Sequence, residues 1–415
     1  MAAAAALGGY GIYEATKPPA KKVPIKIGFP APFTGPVAAD GAEMLHGATI
    51  AIEEINDAGG ILGHQLEVIQ GDTEDMEAGK VSSVAEKLLT RDMVDVMMTG
   101  YCSNTLVEVD IAEQYKVPYI FAGLSQLWEK MTKEKQYKYV WSTMVSYSPY
   151  RTELPYLVDE RWRKQGNFVP KRNKFALINS ENDYSTYIGN GIKENLLKMG
   201  WTITLDETVA FGTITEWRPL LEKIRADPPD LIVNTDYIPA NEAAFLEQFL
   251  EDPTPSLVFM QYGPSLPEFI ELTGAKSTGV IWYTVAAWIS DPDLDPAGYA
   301  YEQKFEKRWG VKPGPIYAGF NYDMAYLYKQ AVEKAGDPFN REAVANAIGN
   351  TDYKGIVGRY VMDPATRLTK SGEEYIPMAT FQIWDGKQVL IGRNPLAKQD
   401  LREPPWVAKA REKYD

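Results

Sequence analysis

Histidine and cysteine, which supply many catalytic and metal-binding groups in proteins, are scarce in this sequence. The chain has two histidines, His46 and His64, and one cysteine, Cys102. Zinc sites and nucleophilic triads depend on these side chains. One run, GLSQL around Ser125, begins like a nucleophile elbow, but leucine stands where that tight turn needs its second glycine. We therefore expect neither a metal site nor a hydrolase.

Nucleotide-binding loops are also missing from the sequence. No G-x-x-x-x-G-K-[ST] run occurs, and Gly189-Asn190-Gly191 lacks the third glycine of a dinucleotide-binding loop. The sequence therefore predicts a protein that binds without catalysis and that carries no cofactor.

The composition is that of an acidic globular chain. Its 415 residues include 43 Lys and Arg against 56 Asp and Glu, which gives a net charge of −13. This charge repels phosphate backbones, so nucleic acid is not an expected partner. No uninterrupted apolar stretch approaches the ~20 residues of a membrane-spanning helix, so we expect no direct membrane insertion. Residues 1–24 are typical of either an export-signal remnant or a disordered tail, and the sequence leaves both open.

Short β-branched runs alternate with helical patterns from Ile25 onward, which favours an α/β fold with parallel sheets. One series of strands and helices ends near residue 121, and a second series begins at Phe175. Two such units predict two lobes, each with a doubly wound parallel sheet. Consecutive helices follow late in the chain, and then a β-hairpin with Asp385-Gly386 at its turn. Helices without new strands must cover an existing sheet, so we expect the chain to cross back between lobes.

Short motifs follow one another along residues 25–391. They are Pro32-Phe33-Thr34-Gly35-Pro36, the helix end from Ala51 to Gly63, Gly71-Asp72-Thr73, Gly100 to Asn104, Val117-Pro118-Tyr119-Ile120, Asn182-Asp183-Tyr184 and Gly355-Ile356-Val357-Gly358. In order and spacing, this series resembles leucine/isoleucine/valine-type (branched-chain amino acid) solute-binding proteins of ABC importers, in the type I periplasmic binding protein family. The resemblance implies two α/β lobes joined by three crossovers, with a ligand cleft between them.

The resemblance also predicts the domain bounds and the partners. Lobe 1 is expected at 25–143 plus 286–357, lobe 2 at 144–285 plus 358–395, and a C-terminal tail at 396–415. A periplasmic location, a small-molecule ligand and the permease subunits of an ABC importer follow from the resemblance, and we expect a monomer. A ligand-sensing regulator that uses the same cleft is the alternative class of function.

Ligand-binding residues are expected at the carboxyl ends of the predicted strands. The set is Tyr101, Ser103, Asn104, Gly123, Ser125, Tyr184, Asp236, Tyr237 and Gln261. Ser103 precedes a helix expected from Thr105, where free amides and the helix dipole suit a carboxylate, and the resemblance implies that role for it. A simple helix cap is the alternative for Ser103 and Ser125, and a structural role is the alternative for the two tyrosines.

The sequence departs from the amino-acid binders at the position that should match the ligand's ammonium group. Those relatives place a carboxylate after the strand at 258–260, where this chain has Gln261. Asp236, beside Tyr237, can supply the charge if it faces the cleft, and the expected solute is then an amino acid of the branched-chain type, captured by closure of the two lobes. Otherwise an aromatic carboxylate or a short amide is the better expectation. Many relatives also pair a cysteine at the Cys102 position with a second thiol that this chain lacks, so Cys102 is expected to be reduced and buried.

Overall fold

The computed structural model describes residues 22–35, 37–74, 76–123 and 125–415, and only the backbone of Ser125. Of the N-terminal tail expected at 1–24, residues 1–21 therefore lie outside the described residues.

The first lobe is built on a parallel sheet whose strand order is β2-β1-β3-β4-β5. Its strands are β1 (Ile25–Ala31), β2 (Leu66–Asp72), β3 (Val96–Thr99), β4 (Tyr119–Phe121) and β5 (Val140–Ser142). The helices between them are α1 (Ala38–Asp57), α2 (Ala78–Thr90), α3 (Val107–Tyr115) and α4 (Ser125–Glu134). Apolar side chains at helical spacing, such as Ala48, Ile52 and Ile55 of α1, are buried against this sheet.

The second lobe repeats this alternation. A helical segment leads into it, formed by α5 (Ser148–Pro155), a π-helical stretch (Tyr156–Trp162) and α6 (Arg163–Gln165). There follow β6 (Lys174–Ser180), α7 (Asp183–Lys198), β7 (Thr202–Val209), α8 (Arg218–Ala226), β8 (Leu231–Asn234), α9 (Pro239–Glu251), β9 (Leu257–Met260), α10 (Pro267–Thr273) and β10 (Ile281–Thr284). Strands β6, β8, β9 and β10 are fully or almost fully buried, because helices cover both faces of the sheet.

The chain then returns to the first lobe, as the helical patterns predicted. The returning segment contains α11 (Pro296–Trp309), α12 (Tyr317–Ala335), α13 (Arg341–Gly349) and the hairpin β11 (Asp352–Lys354) and β12 (Arg359–Val361). Helix α12 packs closely on α1, since a Cβ atom added at Gly47 would lie 2.0 Å from the carbonyl oxygen of Ala318. Glycine at position 47 thus permits the close approach of the two helices.

A third crossing brings the chain back to the second sheet. Strands β13 (Ala379–Trp384) and β14 (Lys387–Ile391) complete the order β14-β13-β10-β9-β8-β6-β7. Both pair antiparallel, so one edge of this lobe departs from the purely parallel sheet that the sequence predicted. The predicted hairpin turn is confirmed, because Asp385 and Gly386 both have positive φ angles of 51° and 70°, as the two-residue turn requires.

The C-terminal residues pack on the second lobe. Helix α14 (Pro405–Tyr414) places the Trp406 ring 5.7 Å from that of Phe249, and Nε1 of Trp406 donates to the carbonyl of Ser256 at 2.9 Å. The segment predicted as a tail at 396–415 therefore contributes to the packing of lobe 2. No helix in the described part of the chain has the length and hydropathy needed to cross a membrane.

The crossing segments meet beside a cavity of about 290 Å³. Its lining includes Val145, Pro149, Val285, Met378 and Arg393, which come from the three connections and from the end of β14. The three connections between the lobes therefore lie close together along this cavity.

Candidate functional site

Both sheets end at a cleft between the lobes. Tyr101 follows β3 and Asp40 lies in the first turn of α1, both in the first lobe. Gln261 and Tyr262 follow β9 in the second lobe. Loops and helix N-termini converge where parallel strands end, which is why such edges bind ligands.

Tyr262 connects the two lobes. Its hydroxyl donates to Oδ2 of Asp40 at 2.9 Å and is 2.7 Å from the hydroxyl of Tyr317, the first residue of α12. The backbone of Tyr262 has φ 83° and ψ −54°, and the N–H of Gly263 bonds the carbonyl of Gln261 at 3.2 Å. This is a γ-turn, a geometry that costs a non-glycine residue about 1–3 kcal/mol. Backbone strain of this kind is concentrated at functional sites.

Three tyrosine rings of the second lobe stand nearly at right angles to one another. The ring centroids of Tyr184 and Tyr237 are 5.7 Å apart, those of Tyr184 and Tyr262 are 6.3 Å apart, and those of Tyr237 and Tyr262 are 5.8 Å apart. The interplanar angles are 86°, 77° and 90° in the same order. The structure thus brings the two predicted tyrosines together and adds Tyr262 to them.

Asp40 is a buried carboxylate whose partners are neutral. Its residue exposure is 5%, and besides Tyr262 it accepts a longer hydrogen bond of 3.4 Å from the Tyr101 hydroxyl. Burial raises the pKa of Asp40 to about 6, although the hydroxyl groups of Tyr262 and Tyr101 oppose that increase. None of the ion pairs formed among the described residues includes Asp40. The first lobe therefore presents an acceptor without a charged partner.

Gln261 lies beside Tyr184 in the second lobe. Its Nε2 donates to the Tyr184 hydroxyl at 2.9 Å and to the Tyr283 carbonyl at 3.3 Å. Its Oε1 is buried and has no hydrogen-bond partner within the described part of the chain. The amide therefore presents an unused acceptor next to the tyrosine rings.

Asp236 is fully buried and faces a helix end of its own lobe. Nδ2 of Asn241, in the first turn of α9, donates to its Oδ2 at 2.8 Å, and the N–H of Ile238 donates to Oδ1 at 3.4 Å. Burial raises the pKa of Asp236, and the hydrogen bond from Asn241 opposes this. Its carboxylate is thus partly satisfied by the protein itself.

Ser103 does not stand at a helix N-terminus as predicted. The expected start at Thr105 is wrong, since α3 begins at Val107 after Leu106 adopts a left-handed conformation with φ 54°. The N–H and Oγ of Ser103 both donate to the carboxylate of Glu108, at 2.8 and 2.6 Å. Burial raises the pKa of Glu108, and the two bonds from Ser103 oppose that increase. An internal carboxylate thus occupies the donors that the sequence assigned to a ligand.

The remaining predicted residues of the first lobe are placed near this loop. Asn104 is exposed, and Gly123 is half-buried with φ 121°. A Cβ atom at Gly123 would lie 2.6 Å from Sγ of Cys102, so the position requires glycine for both conformation and space. Ser125 begins α4, and its side chain lies outside the described atoms. Cys102 is a buried free thiol, and burial raises its pKa.

The site predicted from the sequence did not include Asp40, Tyr262 or Tyr317. Asp40 follows the Pro32 to Pro36 motif by four residues, which places it in the first turn of the next helix. A carboxylate at that position could have been predicted from the sequence to lie near the cleft. Tyr317 reaches the cleft only because the chain returns to lobe 1, and no local pattern indicates its neighbours.

The two histidines lie outside the cleft. The His46 ring stacks on Trp309 with centroids 3.8 Å apart, and Nδ1 of His64 is 2.7 Å from the carbonyl of Val23. Within the described residues, no group of three or more His, Cys, Asp or Glu side chains is arranged to hold a metal ion.

The fold and the cleft define a two-lobe α/β binding protein. The family described as periplasmic binding protein matches residues 24–384 of the chain. The chain belongs to this family, which confirms the resemblance in the sequence motifs.

Individual relatives agree with this assignment. A "Leu/Ile/Val-binding protein homolog 7" of Brucella abortus (strain 2308) is 23% identical over 391 residues, which cover 92% of this chain and 94% of that protein. The structure of a putative branched-chain amino acid ABC transporter from Silicibacter pomeroyi has a TM-score of 0.83 at 32% identity, and the match covers 92% of this chain and all of that one.

Two further structures are similar in fold. A branched-chain amino acid transporter substrate-binding protein from Streptococcus pneumoniae, in complex with isoleucine, has a TM-score of 0.74 at 22% identity, with 88% of this chain and 97% of that chain covered. A solute-binding protein from R. palustris in complex with benzoate has a TM-score of 0.69 at 17% identity, with 92% and 99% covered. Together with the two α/β lobes described above, these structures confirm the predicted fold class.

Proposed function

We propose that this protein captures a small polar solute between its lobes, outside the cytoplasm, and delivers it to the permease subunits of an ABC importer. The observation that carries the proposal is the pair of contacts from Tyr262 to Asp40 and Tyr317, which joins the lobes at the edge where both sheets end. Family membership supports the same function. The hydrogen-bonding groups and tyrosine rings described in the cleft suit the binding of a small molecule.

Closure of the lobes is the proposed mechanism. Acceptors and aromatic rings stand on both sides of the cleft, so a ligand that contacts both sides stabilises the closed form over the open one. The ligand then shifts the population towards closure, and the closed form is what the permease would recognise. The three crossovers, whose residues come together at one cavity, are the proposed hinge.

A branched-chain type of amino acid is the proposed solute. The names of the Brucella relative and the Silicibacter structure point to this class, and the isoleucine complex does the same at the level of fold. An aromatic carboxylate or short amide is the second candidate. The tyrosine rings suit such a ligand, and the fold shared with the benzoate complex is consistent with it.

Released ligand identifies the solute directly. Protein purified without added ligand is denatured, and the small molecules set free are analysed by mass spectrometry. Calorimetric titration with leucine, benzoate and a short amide follows, and small-angle scattering measures the radius of gyration at saturation. Binding with compaction is the expected result. Binding with an unchanged radius of gyration would contradict closure, and failure to retain or bind any small molecule would contradict solute capture.

A further inference from the structure

The acceptors of the cleft have no positively charged partner among the described residues. Within that part of the chain, the Asp40 carboxylate accepts side-chain hydrogen bonds from the hydroxyls of Tyr262 and Tyr101, and both of these donate to the same oxygen, Oδ2. A carboxylate in a site with 5% exposure loses most of its hydration, and neutral hydroxyls replace only part of it. A cation brought by a ligand would complete its coordination.

Gln261 supplies a second open acceptor nearby. The carbonyl of Tyr283 can only accept, so the hydrogen bond to it fixes the amide with Nε2 on that side. Oε1 then faces away from that carbonyl, is buried and has no partner among the described atoms. Tyr184, which Nε2 also contacts, and Tyr262, which contacts Asp40, have ring centroids 6.3 Å apart. The two acceptors therefore belong to one region of the cleft.

The aromatic rings between these acceptors suit the same charge. Tyr184, Tyr237 and Tyr262 form edge-to-face pairs, with their rings at nearly right angles to one another. The face of an aromatic ring is electronegative and attracts an ammonium ion.

The hydrogen-bond donors of Ser103, which the resemblance assigns to a ligand carboxylate, are already in use. The N–H and hydroxyl of Ser103 already bond Glu108, which is 1% exposed. A ligand carboxylate placed there would have to displace an internal carboxylate. Acceptors in the cleft are thus open while the donors of Ser103 are engaged.

We propose that Asp40, together with Oε1 of Gln261 and the three tyrosine rings, binds an ammonium group of the ligand. This inference rests on the proposed capture of a solute in the cleft and specifies its chemistry. The charge that amino-acid binders place at the Gln261 position is supplied here from the opposite lobe. Ligand binding at this site would thereby also draw the lobes together, because its two hydrogen-bond acceptors stand on different lobes.

The test uses ligands that separate the two charges of an amino acid. Leucine carries both groups, 3-methylbutylamine keeps only the ammonium, and 4-methylpentanoate keeps only the carboxylate. Benzylamine and benzoate form an aromatic pair of the same design. We expect the ammonium-bearing members to bind in calorimetric titrations and the two carboxylates to bind at least about tenfold more weakly. If leucine binds and 3-methylbutylamine does not, the ligand carboxylate is also recognised. The effect of Asp40→Asn on leucine affinity would then decide the inference.

Matched variants of two carboxylates on α1 complete the test. Asp40→Asn should weaken binding of the ammonium ligands by at least about tenfold, because a hydrogen-bonded charge is removed. Glu53→Gln is the control, since Glu53 lies on the same helix thirteen residues beyond Asp40, is exposed, and pairs with Arg308 at 3.0 Å. It should leave affinity within about twofold. Circular dichroism confirms that both variants fold.

Three outcomes would overturn the inference. They are unchanged affinity in Asp40→Asn, preference for the carboxylate-only ligands, and no binding of any ammonium probe at millimolar concentration. Each leaves the proposed solute capture to be judged separately by released ligand and by compaction.

Discussion

The hydroxyl of Tyr262 donates to Oδ2 of Asp40 at 2.9 Å, across the cleft, although the two residues lie 222 positions apart. This hydrogen bond therefore links the second lobe to helix α1 of the first lobe. A bond to a buried carboxylate contributes more than one between neutral groups, typically about 1.5–3 kcal/mol. It should stabilise the closed arrangement in particular.

Removal of this hydroxyl should favour the open form. Tyr262→Phe keeps the ring but loses the bonds to Asp40 and Tyr317, so we expect ligand affinity to fall about tenfold and the ligand-free radius of gyration to rise. Calorimetry and small-angle scattering measure the two effects. Tyr326→Phe is the matched control, because the Tyr326 hydroxyl bonds Glu54 within the first lobe. Equal effects of the two variants would argue against an interlobe role.

The buried carboxyl of Asp40 should make stability depend on pH. Its pKa in the folded protein is about 6 against an ordinary value of 3.8, so between these values the folded chain holds a proton that the unfolded chain has lost. Its contribution to the free energy of unfolding is therefore complete below pH 4 and is lost as the pH rises through 6, by up to about 3 kcal/mol. Urea unfolding of the wild-type protein and Asp40→Asn, from pH 4 to 7.5, measures the difference. Parallel stability curves would contradict the prediction.

Ser103→Ala should reduce stability more than affinity. The variant leaves the buried carboxylate of Glu108 without its 2.6 Å hydrogen bond, so the free energy of unfolding should fall by about 1–3 kcal/mol. Ser83→Ala is the control, since the exposed Ser83 hydroxyl donates to the carbonyl of Lys80 in the same helix. Weaker ligand binding at unchanged stability would instead identify Ser103 as the ligand contact that the family resemblance implies.

Two glycine-to-alanine variants should have opposite effects. Gly47→Ala forces a methyl group against the Ala318 carbonyl and should destabilise by about 1–3 kcal/mol as α1 and α12 separate. Gly79→Ala, in the first turn of α2, meets no atom within 4 Å and should stabilise by about 0.5 kcal/mol. Thermal unfolding of both variants provides the measurement. A neutral Gly47→Ala would show that the helix contact is loose.

The sequence by itself determined the elements and their grouping. Apolar residues three or four apart placed α1, β-branched runs placed β1 and β8, and Asp385-Gly386 placed the last hairpin. These patterns are readable because each depends on a period of a few residues and on a local backbone preference. The order of the motifs was enough to indicate the family, and the late helices were enough to predict that the chain recrosses.

Only the tertiary structure decided which side chains face each other in the cleft. Asp40 and Tyr317 were not in the predicted site, because their partner Tyr262 comes from the other lobe and no local spacing relates them. Ser103 is a local exception: the resemblance implied a ligand contact, with a helix cap as the alternative, but its donors bond Glu108 only five residues further along the chain, and α3 begins two residues later than its pattern indicated. A buried polar group takes the nearest available partner in space, and packing between distant segments sets that distance. The chemistry of the site therefore depends on long-range contacts that the local sequence does not encode.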